Sequence, residues 1–308
     1  MEKELAGLSP DKDMLLTIGV FDGVHLGHKY LISRLKELAL KEGLASGVVT
    51  FRQHPEEVMS KTKLSFLTDL EQRIDLLKGE GVDAVIPLSF TTELARLSAR
   101  EFISLLQKNL RMRGLVVGPD FALGRNREGD TETLRQLGQE TGFSITVVPP
   151  VKIDGEVVSS TAIRQALAKG DMKRVQRLAG RPFRLQGRVV PGAGRGVKLG
   201  FPTANLEIEA EQALPPDGVY VSQTHLDSQS YPSVTNIGRR PTFDSKERTV
   251  EVYLLDYNGD LYGQELKIDI LERLRGEKKF DTPEELKKQM AQDVERGRKW
   301  LMKTSTIS

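Results

Sequence analysis

Met14-Leu15-Leu16-Thr17-Ile18-Gly19-Val20-Phe21-Asp22-Gly23-Val24-His25-Leu26-Gly27-His28-Lys29-Tyr30-Leu31-Ile32 changes its period halfway along. Met14 to Val20 is mostly apolar, bounded by Gly19 and Gly23, and reads as a strand buried on both faces. From about Gly27, Tyr30, Leu31, Leu35, Leu38 and Ala39 recur at helical spacing, and Gly43 supplies the stop. A strand therefore runs through a glycine-rich turn straight into a helix, with His25 and His28 flanking the helix entrance. Unpaired backbone N–H groups and the positive end of the helix dipole meet there, which makes an anion site. The two imidazoles add donors able to follow charge as it moves between phosphoryl oxygens.

This His-x-Gly-His resembles the signature of the HxGH nucleotidyltransferases, whose histidines sit on the phosphates of ATP and stabilise transfer of AMP to a second substrate's phosphate. A bare H-x-G-H is equally two histidines in an ordinary turn. The strand before, the helix after and the lead-in Gly19-Val20-Phe21-Asp22-Gly23 favour the functional reading. Of 4 histidines, His25, His28 and His54 fall early in the chain, the clustering expected of a phosphate-handling site. His225, alone in a Thr-His-Leu strand context, reads as structural.

Working outward, apolar runs at Gly47 to Phe51, Val82 to Leu88, Leu115 to Gly118 and Phe143 to Val148 read as further strands. Capping-box patterns at Thr68/Glu71 and Ser98/Glu101 open helices, and Thr131 to Glu140 is a weaker helix. Arg52 to Lys63 is too irregular for either. Five strands alternating with helices predict an α/β domain with a Rossmann-like parallel sheet, where ligands collect at the carboxyl ends of strands. The candidate chemistry falls at such ends: Thr50-Phe51-Arg52-Gln53-His54-Pro55, then Gly118-Pro119-Asp120-Phe121-Ala122-Leu123-Gly124-Arg125. Val158 to Arg164 opens a last helix, with Ser160 or Thr161 as cap and Arg164 in its first turn. That is a second anion site, suited to a departing pyrophosphate, although Ser-Ser-Thr is also an ordinary N-cap. Helical pattern from Asp171 to Leu178 breaks at Ala179-Gly180-Arg181-Pro182, which sets the expected domains at 1–181 and 182–308.

Beyond Pro182 the period is two: Phe183 to Val190, Gly218 to Leu226, Thr249 to Asp256 and Glu265 to Leu271 alternate. Asn258-Gly259 predicts a hairpin turn between the last two. Short strands with turn residues between them predict a small antiparallel barrel, followed by a helix opened by Thr282-Pro283-Glu284-Glu285 that packs on it through Leu286, Met290, Val294 and Leu301. Gly192 to Gly200 lets backbone N–H groups curl round phosphates, or is a flexible hairpin; no helix is expected after it. Pro202-Thr203-Ala204-Asn205 follows directly, with a hydroxyl and an amide oxygen suited to Mg²⁺. Glu251 faces away from Val250, Val252 and Leu254, so it is either solvated or a base pointing into a ligand site.

Lys+Arg 45 against Asp+Glu 43 leaves a net charge of +2, so no global field argues for nucleic acid or an anionic membrane. No apolar run approaches a membrane span, and Met-Glu-Lys-Glu-Leu lacks a signal-peptide pattern, so the expectation is a cytoplasmic protein. With 0 cysteines there are no disulfides, thiolate metal ligands or thiolate nucleophiles.

Taken in order, the N-terminal motifs together with Thr-Phe-x-x-His-Pro, Ser-Ser-Thr-x-Ile-Arg, Leu-Gly-Phe-Pro-Thr-Ala-Asn, Asn236-Ile237-Gly238-x-x-Pro241-Thr242-Phe243 and Thr249-Val250-Glu251 resemble the prokaryotic bifunctional riboflavin kinase/FMN adenylyltransferases over nearly the whole chain. The resemblance implies riboflavin kinase chemistry in the barrel and FMN adenylylation in the N-terminal domain. The substrates would be riboflavin, FMN and ATP, with Mg²⁺ or another divalent cation. It implies that His25, His28, Ser160, Thr161 and Arg164 hold ATP phosphates, with Gly19, Phe21, Gly23 and Gly27 around the nucleotide. It implies a kinase nucleotide site at Gly194, Arg195, Gly196 and Gly200, metal ligands Thr203 and Asn205, and Glu251 as base for the ribityl hydroxyl. Phe51, His54, Asp120 and Phe121 would face flavin in the first domain, and Arg275 and Glu277 in the second. Two positions depart from the pattern: Gln53 stands where proline is usual and Leu123 where a second aromatic is usual. Rival readings are a kinase whose adenylyltransferase has decayed, and a flavin- or nucleotide-binding regulator without turnover.

Overall fold

The computed structural model describes residues 4–5, 10–60, 65–192, 194–239 and 248–305. The chain divides into two compact units, Met1–Ser160 and Thr161–Ser308.

In the first unit β1 (Met14–Ile18) leads into α1 (Leu26–Glu42), then β2 (Ala45–Phe51), α2 (Pro55–Ser60), α3 (Leu70–Gly79) and β3 (Ala84–Leu88). After α4 (Thr92–Arg96) and α5 (Ala99–Leu110) come β4 (Met112–Val117), the short pair β5 (Ala122–Leu123) and β6 (Gly129–Asp130), α6 (Thr131–Thr141) and β7 (Ser144–Val147). A small hairpin, β8 (Lys152–Ile153) and β9 (Glu156–Val157), ends the unit. The predicted five-stranded parallel sheet is present, in the order β3-β2-β1-β4-β7. Both faces are covered, which is why β1 is apolar at every position but Thr17. Met14, Leu16 and Ile18 pack with Phe102, Leu106 and Leu134, and Leu15 packs on the other side with Ile32 and Leu35. The strand order reverses between β1 and β4, so the loops after these strands diverge and leave a crevice at their carboxyl ends.

Local predictions fare unevenly. The Ser98/Glu101 capping box on α5 is formed reciprocally, and Gly43 ends α1 at φ 69°. Arg52 to Lys63, expected to be irregular, contains α2, a turn and a half with no buried residue, and its residues 61–63 lie outside the described residues. The N-cap of α3 is Asp69, not Thr68: Asp69 accepts from the Gln72 N–H, while the Thr68 hydroxyl is taken by Asp22 and the Gly23 N–H. On α1, Tyr30 is exposed and Ile32 holds the buried position.

The second unit holds α7 (Ser160–Lys169, whose first residue belongs to the first unit), α8 (Met172–Ala179), β10 (Phe183–Val190), α9 (Arg195–Leu199), β11 (Ala204–Ile208), β12 (Gly218–Leu226), β13 (Gln229–Arg239), β14 (Arg248–Leu254), β15 (Glu265–Gly276) and α10 (Pro283–Ser305). The strands close into the expected antiparallel barrel, ordered β10-β11-β14-β13-β12-β15. α8 packs on β10 and β15, and α10 packs on β12, β13 and β15, with Val294 against Val219, Val234 and Leu255.

The barrel corrects one reading. β14 is flanked by β11 and β13 and has no free edge for β15, so Asn258-Gly259 is no hairpin turn; it folds locally over Tyr257, whose hydroxyl would lie 2.3 Å from a Cβ on Gly259. The tight hairpin is β12–β13, where Leu226 pairs with Gln229 and Asp227 takes φ 51°. The glycine loop itself contains the single turn α9 between Gly194 (φ 66°) and Gly200 (φ 85°), and a strand, β11, follows it, so no helix comes after the loop, as expected. Pro241, Thr242 and Phe243 of the quoted motif lie outside the described residues.

Candidate functional site

At the crevice of the first unit, Phe21 (φ 55°), Gly23 (φ 79°) and Val24 (φ 34°) take left-handed backbone. For Val24 that is strained, and the strain persists because the surroundings fix it. The Asp22 carboxylate accepts from the Leu67 N–H at 2.9 and 3.0 Å and from the Thr68 N–H at 3.2 Å. The turn delivers His25 as N-cap of α1, where its Nδ1 accepts the His28 N–H at 3.3 Å. The two imidazoles stack with centroids 3.6 Å apart and planes 16° from parallel, and Phe21 meets His28 edge-on at 5.1 Å. Gly27 is needed here: a Cβ would lie 3.1 Å from the His25 ring and 3.2 Å from the Val158 carbonyl. The Ser160 hydroxyl donates to the Asp22 carbonyl at 2.9 Å. Thr161 and Arg164 stand in the opening turns of α7, within the second unit.

Beside the turn lies a largely apolar cavity of about 390 Å³. Its lining includes Phe51, His54, Asp120 and Phe121, expected to face flavin, together with Gly19, expected near the nucleotide, and adds Met59, Phe90, Leu94, Phe102, Asn126 and Arg127, to which the sequence reading gave no site role. The signal for Met59 was lost with α2; the others come from helix starts and loops with no motif of their own. Both departures border the cavity. Leu123 lines it, and the Gln53 side-chain oxygen accepts the Phe90 N–H at 3.2 Å, holding the Phe90 ring edge-on to Phe51 at 5.3 Å. A concave apolar space with few polar groups suits a flat aromatic ligand.

In the second unit the register pairs Asn205 with Glu251 and Glu251 with Asn236, so three polar side chains form one row on the outer face of the barrel. The Thr203 hydroxyl lies 3.5 Å from the Glu251 carboxylate. Gly192 and Gly196 make room for this group: a Cβ on Gly192 would fall 2.0 Å from the Asn205 amide nitrogen, and one on Gly196 would fall 3.1 Å from the Thr203 hydroxyl. Glu251 points away from buried Val250 and Val252, as expected. Glu277 reaches the same row, its carboxylate 2.7 Å from where Gly238 would carry a Cβ. Asn236 was quoted in a motif but given no role, because β13 was not read as a strand. Arg275 is committed to Asp293 of α10 through hydrogen bonds of 2.7 to 3.1 Å and lies 5.9 Å from the Phe280 ring centre. The Arg195 side chain lies outside the described part of the structure. Thr203, Asn205 and Glu251 offer hard oxygens with one formal charge, and no cluster of three His, Cys, Asp or Glu able to hold a cation occurs among the described residues. A divalent ion fits there when a polyphosphate supplies the rest of its shell. His225 is structural: its Nε2 lies 2.8 Å from the Asp269 carboxylate, which also takes Arg184 at 2.7 and 2.8 Å.

Residues 8–162 match the family model of FAD synthetase and residues 179–301 that of riboflavin kinase. A protein of Pseudomonas fluorescens named bifunctional riboflavin kinase/FMN adenylyltransferase is 40% identical over 96% of this chain and 95% of its own. Its namesake in Escherichia coli (strain K12) is 41% identical over 92% of each chain. A solved structure named macrolide-efflux protein, from Streptococcus pneumoniae, shares the fold with a TM-score of 0.88 at 32% identity, over 96% of this chain and 97% of that one. Among the described residues no helix is long and apolar enough to cross a membrane. With both family models matched in order, and relatives of this identity along nearly the full length, the chain belongs to the bifunctional riboflavin kinase/FMN adenylyltransferases.

Proposed function

We infer that this chain phosphorylates riboflavin to FMN with ATP at residues 182–308 and adenylylates FMN to FAD with a second ATP, releasing pyrophosphate, at residues 1–181. The observation that carries the reading is that one chain holds two separate constellations: stacked imidazoles on a helix start beside an apolar cavity, and a carboxylate flanked by hydroxyl and amide oxygens on a barrel.

In the kinase step the Glu251 carboxylate takes the proton of the ribityl 5′-hydroxyl as that oxygen attacks the γ-phosphorus of ATP; the bond to the β–γ bridging oxygen breaks and ADP leaves. A divalent cation bound with ATP at Thr203 and Asn205 would neutralise phosphate charge. Gly194, Arg195, Gly196 and Gly200 lie along the phosphate side, with Glu277 and Arg275 on the flavin side. In the second step an FMN phosphate oxygen attacks the α-phosphorus of ATP and the α–β bond breaks. His25, His28 and the α1 start stabilise charge on the transferred group, and Ser160, Thr161 and Arg164 receive the departing pyrophosphate. Phe51, His54, Asp120 and Phe121 hold the flavin, and the turn at Gly19, Phe21, Gly23 and Gly27 brings backbone close to the nucleotide. A cytoplasmic enzyme with small-molecule partners, and neither nucleic acid nor membrane, fits the near-neutral charge.

Incubation with riboflavin, ATP and Mg²⁺ followed by separation of flavins tests the reading. FAD is expected. FMN alone would leave only the kinase assignment standing, and unchanged riboflavin would leave neither.

A further inference from the structure

Arg73, on the inner face of α3, is 1% exposed and the largest fully buried side chain described. Its Nη2 donates to the Phe51 carbonyl at 2.8 Å, and its guanidinium carbon lies 5.1 Å from the centre of the Phe66 ring. Its Nε and Nη1 have no hydrogen-bond partner among the described residues. Burial lowers its proton affinity, against the opposing charges of Asp22 and Asp69. An arginine held this way is a poor choice for stability, since a buried charge with incomplete partners is often matched or bettered by an apolar side chain of similar volume.

What the guanidinium does hold is informative. Phe51 is the last residue of β2 to pair with β3, opposite Leu88, so Arg73 caps the carbonyl at that strand's end. From there the chain turns to His54, and both Phe51 and His54 line the apolar cavity. The Phe66 ring stands 6.1 Å from His54, centre to centre. One buried cation therefore touches the backbone of one wall residue and the ring packed on another.

We propose that Arg73 is a positioning residue for FMN: by fixing the Phe51 carbonyl and the Phe66 ring it sets where Phe51 and His54 stand in the cavity. The inference rests on the reading of that cavity as the flavin site of the adenylyltransferase. It acts on substrate fit and not on the phosphate-side groups, so it separates KM from kcat. Arg73→Met keeps an apolar stem against Phe66 but cannot hold the carbonyl. Arg73→Lys keeps the charge and reaches the carbonyl without the flat face.

The experiment compares the full-length parent, Arg73→Met and Arg73→Lys in FAD synthesis from added FMN, in FMN synthesis from riboflavin, and in thermal unfolding. Arg73→Met is expected to raise the KM for FMN about tenfold, the loss of one charged hydrogen bond acting indirectly. Its kcat, its kinase activity and its melting temperature should stay near the parent's, and Arg73→Lys should fall between. An Arg73→Met chain with the parental KM overturns the inference. So does one whose FAD synthesis falls only in proportion to lost folded protein. If Arg73→Met does not fold, Arg73→Lys decides alone, a raised KM supporting the inference and a parental KM overturning it. A parent that makes no FAD from FMN overturns the flavin-site reading, and the inference with it.

Discussion

Replacing His28 with alanine separates the chemistry of the histidine pair from its structural role. The bond that caps α1 runs from the His28 backbone N–H to His25 Nδ1, so it survives loss of the His28 side chain. What disappears is a ring stacked at 3.6 Å on His25 and met edge-on by Phe21 at 5.1 Å, partly open to solvent. Lost packing of that kind costs about 1 kcal/mol, too little to unfold a domain. Losing a preorganised donor at developing phosphate charge costs roughly 10²–10³ in rate, about 2.7–4 kcal/mol of barrier. FAD formation from added FMN should therefore fall by about two to three orders of magnitude while riboflavin phosphorylation by the same molecules stays near normal. His25→Ala should lose a similar factor in rate and, in addition, about 1 kcal/mol of stability, because it removes the cap itself. The assay is steady-state FAD production with the kinase as internal folding control, alongside thermal unfolding of both variants. A His28→Ala chain that makes FAD at the parental rate refutes the phosphate role. Equal stability loss in the two variants refutes the capping argument.

Asn205→Ala or Thr203→Ala should raise the Mg²⁺ and ATP requirement of FMN synthesis, and Gly192→Ala should mimic Asn205→Ala because its Cβ would fall 2.0 Å from the Asn205 amide. Kinase kinetics unchanged across a Mg²⁺ titration would return Pro202 to Asn205 to a structural turn. The Tyr220 hydroxyl donates to the Pro216 carbonyl at 2.5 Å, and burial pushes its pKa up to about 12. The folded unit then holds a proton that the unfolded chain releases near pH 10. Its contribution is complete below about pH 10 and is lost as pH rises toward about 12. Denaturant unfolding should weaken across that window, and Tyr220→Phe should flatten the dependence; an equal slope in the variant would assign it to other groups.

Much of this was legible because it is local or periodic. The switch from buried strand to helix at Gly19 to Gly27, the reciprocal Ser98/Glu101 cap and the alternation around Glu251 each follow from a few adjacent residues. What was illegible depends on contacts between distant positions. Thr68 looked like a cap, but its hydroxyl serves Asp22 across the fold, so the cap passed to Asp69. Asn258-Gly259 has hairpin chemistry, yet the barrel order leaves β14 without an edge for β15. Arg73 sits at an inward position of an amphipathic helix, where its charge suggests a surface. Phe51, His54, Asp120 and Phe121 stand in motifs that drew attention to them, whereas Phe90, Asn126 and Asn236 join their neighbours only through the crossing of strands and loops.

The central claim is that two separate sites act in series, and Glu251→Gln in the full-length chain tests it most directly. The substitution keeps the shape beside Thr203 and Asn205 but removes the proton acceptor. Supplied with riboflavin, ATP and Mg²⁺, the variant should make FMN roughly 10²–10⁴ times more slowly. Supplied with FMN in place of riboflavin, it should make FAD at the parental rate. Normal FMN synthesis would make Glu251 a solvated strand residue, and a parallel loss of FAD synthesis from FMN would mean that the two reactions share one site.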